Sequence, residues 1–345
     1  MNRLCFLHYL FIGYIFAIWD FNLYLNVMKF DFFIVYLLLS IIVAYFFPQL
    51  AIYGDGVFLD TLTSVGVSLI FFFYGLKLSF DQIKTGLRNW KLHLVVQLST
   101  FLLFPLIVLL FRPFIGVFLS EHTWMGFFFL AALPSTVSSS VVMVSLAKGN
   151  VPAAIFNASI SGLIGVAITP LWMSLFLDFT TENVLLDVYA GLMIEIILPV
   201  LVGLLLQRFW GGWATRNSKV LSNFDKSVIL LIVYGSFAHS FQSGVFATLS
   251  NAFVIELFVA VILFFMLIYA LLYLLCKFVF KFSIEDTITA LFCGSKKSLT
   301  HGSVFGKFIF LNNPYTGIYF LPLMIYHAFQ IFVITFIAQR YGMRD

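Results

Sequence analysis

Apolar runs long enough to cross a bilayer recur from Lys29 to the end of the chain, and the polar stretches between them are too short to fold alone. A spanning helix needs roughly 20 consecutive, mostly apolar residues. In hydrocarbon each backbone N–H and C=O must find its partner inside the protein, and a helix meets that demand within one segment. Only 10% of the 345 residues are charged, against 62% hydrophobic. A soluble domain carries about a quarter charged residues and needs them for its surface. The chain therefore reads as an all-α polytopic membrane protein, with the lipid bilayer as its solvent.

Ten spans fit the pattern, at 32–50, 59–78, 92–115, 123–145, 151–177, 188–209, 227–245, 253–276, 286–311 and 317–339. Their orientation follows from the basic residues. With Lys29 in the cytoplasm, that side also holds Lys77, Lys84, Arg88, Lys91, Lys148, Arg208, Arg216, Lys219, Lys226, Lys277, Lys281, Arg340 and Arg344, fourteen of the 19 Lys and Arg. The outer loops hold Arg112 alone, with Asp55, Asp60, Glu121, Asp178 and Glu182. The positive-inside rule thus predicts a multi-pass protein with both termini cytoplasmic, in the plasma (inner) membrane if the cell is bacterial.

Residues 1–28 stand outside this plan as a hydrophobic N-terminal extension. The run from Phe6 to Trp19 is short for a span, Asp20, Asn22 and Asn26 follow it, and no small-x-small cleavage site is present. Met28-Lys29-Phe30-Asp31 has the look of an ordinary start, so the extension reads as an interfacial helix, an extra span or translation from an upstream start, and is expected to be dispensable. Residues 29–178 and 187–340 then form two five-helix halves, and 341–345 a short cytoplasmic tail. With an odd number of spans in each half, the halves are inverted relative to one another.

The fourth and ninth spans hold corresponding places in the two halves, and both are interrupted. The fourth contains Pro134-Ser135-Thr136-Val137-Ser138-Ser139-Ser140; the ninth contains Gly294-Ser295-Lys296-Lys297-Ser298-Leu299-Thr300. Paired interrupted helices at matching positions mark the substrate sites of secondary transporters. Proline frees a carbonyl one turn back, and hydroxyls can satisfy freed groups or coordinate a cation. Asn157 and Ser161, four apart on the fifth span, share one helical face and extend the same candidate cavity. A serine in a membrane helix is also commonly a packing or capping residue. Lysine deep in a bilayer costs several kcal/mol on most scales, so it is expected to face a wet cavity or an acidic partner. Neighbours on a helix diverge by about 100°, so Lys296 and Lys297 point to different places. Glu195, mid-way along the sixth span, is the candidate ion-pair or proton partner by depth.

Other chemistries lack a foothold. There is no Walker loop, no Gly-x-Gly-x-x-Gly after a strand and no His-Glu-x-x-His. Cys5, Cys276 and Cys293 lack metal-ligand spacing. The small excess of basic charge is spent on topology, so no nucleic-acid partner, cofactor, metal site or enzymatic activity is expected.

Several segments together resemble the bile acid:sodium symporter superfamily, solute carrier family ten, in its seventh-member-like, SBF-like branch. They are Lys91-Leu92-His93-Leu94 with Gln97, Pro134 with Ser138-Ser139, Ala153-Ala154-Ile155-Phe156-Asn157, Ile168-Thr169-Pro170, Phe292-Cys293 with Lys297-Ser298-Leu299-Thr300, and Pro322-Leu323 with Ile325-Tyr326-His327. The likeness runs from about Lys29 to Arg340. It implies ten transmembrane helices as two inverted five-helix repeats, with interrupted, crossing fourth and ninth helices. It further implies alternating access for a small organic anion, with H+ or Na+ as coupling ion. In sodium-coupled relatives a Ser-Asn pair and a glutamate surround sodium; here those places fall on Ser139-Ser140 and within 295–297, where lysine stands instead of acid. Sodium coupling of the usual kind is therefore not expected. The same branch includes proteins linked to calcium homeostasis, so the alternative is a regulatory membrane protein with a vestigial site.

Overall fold

The computed structural model describes residues 32–52, 57–78, 89–114, 120–177, 184–248, 252–311 and 313–344. The expected extension lies outside them. The chain divides into two units between Leu38 and Leu39, and the larger, Leu39–Asp345, holds every described helix except part of the first. Among the described residues all regular structure is helical.

The helices are α1 (Phe32–Phe46), α2 (Val57–Lys77), α3 (Trp90–Leu110), α4 (Glu121–Ala132), α5 (Ser138–Leu146), α6 (Val151–Met173), α7 (Leu185–Arg216), α8 (Ser218–Gln242), α9 (Phe253–Val279), α10 (Ile284–Gly294), α11 (Leu299–Ile309) and α12 (Thr316–Gly342). Seven of them, α2, α3, α6, α7, α8, α9 and α12, are long and apolar enough to cross a membrane unbroken. The expected first span is represented by the 15-residue α1. The fourth and ninth are each a pair of half-helices, α4 with α5 and α10 with α11. Large apolar side chains stay exposed along the outer faces, among them Leu198, Leu201, Leu205 and Phe209 on α7 and Ile255, Phe258, Val259 and Leu263 on α9. Water would not tolerate so much continuous apolar surface; lipid does. The chain is an integral membrane protein.

Two boundaries differ from the hydropathy reading. Hydropathy ends the sixth span at 209 and begins the seventh at 227, but α7 runs on to Arg216 and α8 starts at Ser218. Hydrophobicity fades before hydrogen bonding does, and both helices carry their polar ends past the apolar part. The α2–α7 contact is close because Gly75 and Gly203 face each other across it. A Cβ on Gly75 would run into the Val200 carbonyl, and one on Gly203 into the Phe72 carbonyl. Small residues at such a crossing let two backbones touch.

Two of the long helices widen into a π turn just before a proline. In α3 the turn is Ser99–Leu103, followed by Pro105; in α7 it is Met193–Ile197, followed by Pro199. The Phe104 N–H reaches back to the Ser99 carbonyl in this turn. The next acceptor, Thr100, would then need an N–H from Pro105, which has none. Its carbonyl is left open, and this matters at the site.

Candidate functional site

Helix α4 ends at Ala132 because Pro134 forces Leu133 into an extended conformation (φ −73°, ψ 153°) and offers no N–H to the turn before it. Helix α10 ends at Gly294, and α11 begins only after Ser298. The two breaks, 133–137 and 295–298, meet. The Ser298 N–H donates to the Pro134 carbonyl at 3.0 Å. Ser135 Oγ donates to the Cys293 carbonyl at 2.5 Å and Ser140 Oγ to the Phe292 carbonyl at 3.1 Å.

A broken helix in an apolar interior must place every freed backbone group. At the fourth break, the Leu130 carbonyl takes the Leu133 N–H, the Ala132 carbonyl takes Thr169 Oγ1 at 2.7 Å, and the Ser135 N–H goes to Ser161 Oγ at 3.0 Å. At the ninth break, the Gly294 carbonyl takes Ser99 Oγ at 3.1 Å, and the Ser295 carbonyl takes the Tyr326 hydroxyl at 2.6 Å. Ser295 Oγ bonds back to the Leu291 carbonyl at 2.6 Å, and Ser298 Oγ caps α11 by accepting the His301 N–H at 3.2 Å. Gln330 closes the set: its side chain accepts the Lys297 N–H and donates to the Lys297 carbonyl, each at 2.8 Å.

Both lysines are fully buried. Lys297 Nζ donates to the carbonyls of Thr100, Ala131 and Leu133, each at 2.7 Å, and sits 4.0 Å from the centre of the Phe104 ring. Its positive charge lies at the C-terminal, negative end of α4. Hydrogen bonds to a charged group contribute about 1.5–3 kcal/mol each, so three of them offset the several kcal/mol that burying one ammonium costs. Lys296 is different. Among the described residues its ammonium makes one hydrogen bond, to Ser139 Oγ at 2.7 Å. Ser139 in turn donates to Thr136 Oγ1 at 3.1 Å, which shares a 2.7 Å bond with Ser140 Oγ. This group stands at the N-terminus of α5, where the helix field is also positive.

The structure therefore sorts the residues singled out in the sequence. Ser135, Ser140, Ser161, Ser295 and Ser298 are engaged with backbone groups of the breaks. Thr136, Ser139 and Lys296 form a chain of hydrogen bonds that joins the others through Ser140, and Lys297 is held by carbonyls. Ser138 opens α5. Thr300, half-buried in the first turn of α11, joins the breaks through no hydrogen bond among the described residues. Asn157 is fully buried but bonds to the Ala153 carbonyl and accepts from Gln97 Nε2 at 3.2 Å. It lies beside α3 rather than in the crossing.

Glu195 requires a correction. Its depth in the sixth span sets it opposite Lys296 or Lys297, but it lies 3.7 Å from Lys307, which also donates to Ser64 Oγ at 2.5 Å. The π turn in α7 and the position of Lys307 in the last turn of α11 bring these two together, more than two turns beyond the break. Gln330, His301 and the Thr100 carbonyl are absent from the sequence reading. A glutamine mid-way along the apolar tenth span and the Phe104-Pro105 pair in the third were the available signals. His301 is buried against Gly162, with Phe71 and Phe305 edge-on to its ring.

The sequence profile of the SBF-like CPA transporter family matches residues 31–343. The chain belongs to that family. It is 37% identical over 316 residues to an uncharacterised protein of Pseudomonas aeruginosa, covering 91% of this chain and 93% of that one. It is 34% identical over 307 residues to the Escherichia coli protein named "putative symporter YfeH", with 88% and 91% covered. It is also 30% identical over 279 residues to the rat protein named sodium/bile acid cotransporter 7, with 79% and 80% covered.

Proposed function

We propose that the protein is a secondary transporter of a small organic anion, working by alternating access, in which Lys296 with Ser139 and Thr136 receives the anionic group of the solute. The observation that carries this reading is the bonding of Lys296: a fully buried ammonium with one hydrogen bond among the described residues, beside a chain of hydroxyls at a positive helix end. A carboxylate there would gain charge-assisted hydrogen bonds that no neutral group can match. Ten spans in two inverted halves, with both termini cytoplasmic, are the frame that the basic-residue pattern and the paired breaks support. Coupling to sodium is not part of the proposal, although the vertebrate relatives carry sodium in their names. A sodium ion about 4 Å from an ammonium would be repelled by roughly 4 kcal/mol at an effective dielectric of about 20. Uptake would follow the solute's own gradient or H+.

Uptake of labelled anionic metabolites into proteoliposomes tests this. Active solutes should move at equal rates when sodium is replaced by potassium or choline. Lys296→Gln, which keeps donors but removes charge, should lower uptake at least tenfold with little change in thermal midpoint. Failure of every anion tried, or full uptake by Lys296→Gln, overturns the proposal. A Lys296→Gln protein that loses stability instead would mark the lysine as a structural element, the reading in which the site is vestigial.

A further inference from the structure

The surroundings of Lys297 are those of a bound cation. Three backbone oxygens, of Thr100, Ala131 and Leu133, converge on one nitrogen at 2.7 Å, and an aromatic face closes another side at 4.0 Å. Each oxygen is open for a backbone reason. Pro105 withholds the N–H that Thr100 needs in its π turn, and the extended Leu133-Pro134 step takes Ala131 and Leu133 out of the helix ladder. Carbonyls only accept, so three of them around one amine nitrogen require three N–H groups, which an ammonium has and a neutral amine lacks. Rings of carbonyls accept dehydrated monovalent cations, and an aromatic face adds preference for an ammonium. No carboxylate is among these contacts, so a divalent ion is not suited.

We infer that these three carbonyls and Phe104 form a monovalent-cation site of which Lys297 is the permanent, tethered occupant, so that cutting the tether opens the site to a free primary ammonium ion. The site is a lock on the crossing: it joins α3 to the end of α4, while Gln330 pins the Lys297 backbone to α12. It explains why the two lysines bond so differently, and it stands whichever solute moves.

Purified full-length protein, compared by thermal unfolding in chloride salts at constant ionic strength, tests the inference. The parent should show one midpoint in sodium, potassium, n-propylammonium and tetramethylammonium chloride. Lys297→Ala should unfold at a lower temperature and recover with n-propylammonium, which replaces the missing chain end, by about 2–4 °C at ten times its half-saturating concentration. Tetramethylammonium, which has no N–H, should give no recovery. Lys297→Met fills the channel without a donor and should be both destabilised and unresponsive. Equal recovery by the two ammonium ions, or no recovery by either, overturns the inference. So does a Lys297→Met midpoint equal to the parent's, which decides the matter even where Lys297→Ala does not accumulate. These readouts need no solute, so their failure leaves the transport proposal standing, and loss of uptake says nothing against the cation site.

Discussion

Ser135 and Ser139 lie in one run of hydroxyl residues, one turn apart, and differ in what they hold. Ser135 Oγ donates to the Cys293 carbonyl and its N–H to Ser161, so it bonds one break to the other. Ser139 meets Lys296 and Thr136. Removing a partner from a buried carbonyl costs about 1–3 kcal/mol, so Ser135→Ala should lower the thermal midpoint by several degrees. Ser139→Ala takes the one hydrogen bond from the buried Lys296 ammonium, so it too should lower the midpoint by a few degrees, and it should in addition reduce any anion uptake. A Ser135→Ala protein as stable as the parent would show that the Cys293 carbonyl is satisfied in another way. Serine spacing alone does not separate these roles, because both are set by which carbonyls the opposite break leaves open. The same holds for the lysines. Their burial follows from the apolar flanks, but the fate of each ammonium depends on Pro105 and Pro134, some 160 to 190 residues away in sequence.

At the scale of elements, most helices are legible because length and hydropathy define them. Both breaks are legible because Pro134 and the Gly294–Lys297 stretch defy a continuous apolar helix. The ends of α7 and α8 are not, since polar helical turns beyond the apolar part look like loop. Nor are the π turns, whose only sequence mark is a proline after an otherwise ordinary run. Packing between elements is partly written in glycine. Gly203 and Gly212 both lie in α7, but only Gly203 faces a backbone, that of α2 at Phe72. Gly203→Ala should force the two helices apart and lower the midpoint by several degrees. Gly212, whose nearest neighbour is the end of Arg216 at 3.8 Å, has room for a methyl group. Gly212→Ala should hold or raise stability, since alanine is favoured over glycine within a helix by about 0.5–1 kcal/mol. Two midpoints that move together would mean that the α2–α7 approach is looser than the structure has it.

At the scale of the molecule, the proposed transport cycle requires contacts that part and re-form, and the cluster around Lys307 is placed to be one of them. Lys307 lies in the last turn of α11, more than two turns past the ninth break. It reaches Ser64 on α2 and Glu195 on α7, two helices that pack against each other through Gly75 and Gly203. Gly191 of α7 meets Phe308 of α11 beside it, and Gly317 of α12 donates its N–H to Ser240 of α8. These contacts tie the broken helix and its neighbour to α2, α7 and α8, on the side that the proposed topology would put outside the cell. Alternating access by rigid rocking of one helix group against another would open this seam in the opposite state. The ion pair spans 3.7 Å, longer than a hydrogen bond, as suits a latch that must release. Cysteines at Ser64 and Lys307, in protein whose other cysteines have been replaced, should therefore stop uptake when bridged by a short, cleavable thiol cross-linker, and uptake should return on cleavage. The bridged protein should still bind solute from the open side, which separates a held gate from a damaged site. Undiminished uptake by the bridged protein would mean that α2 and α11 travel together, and the moving seam would have to be sought elsewhere.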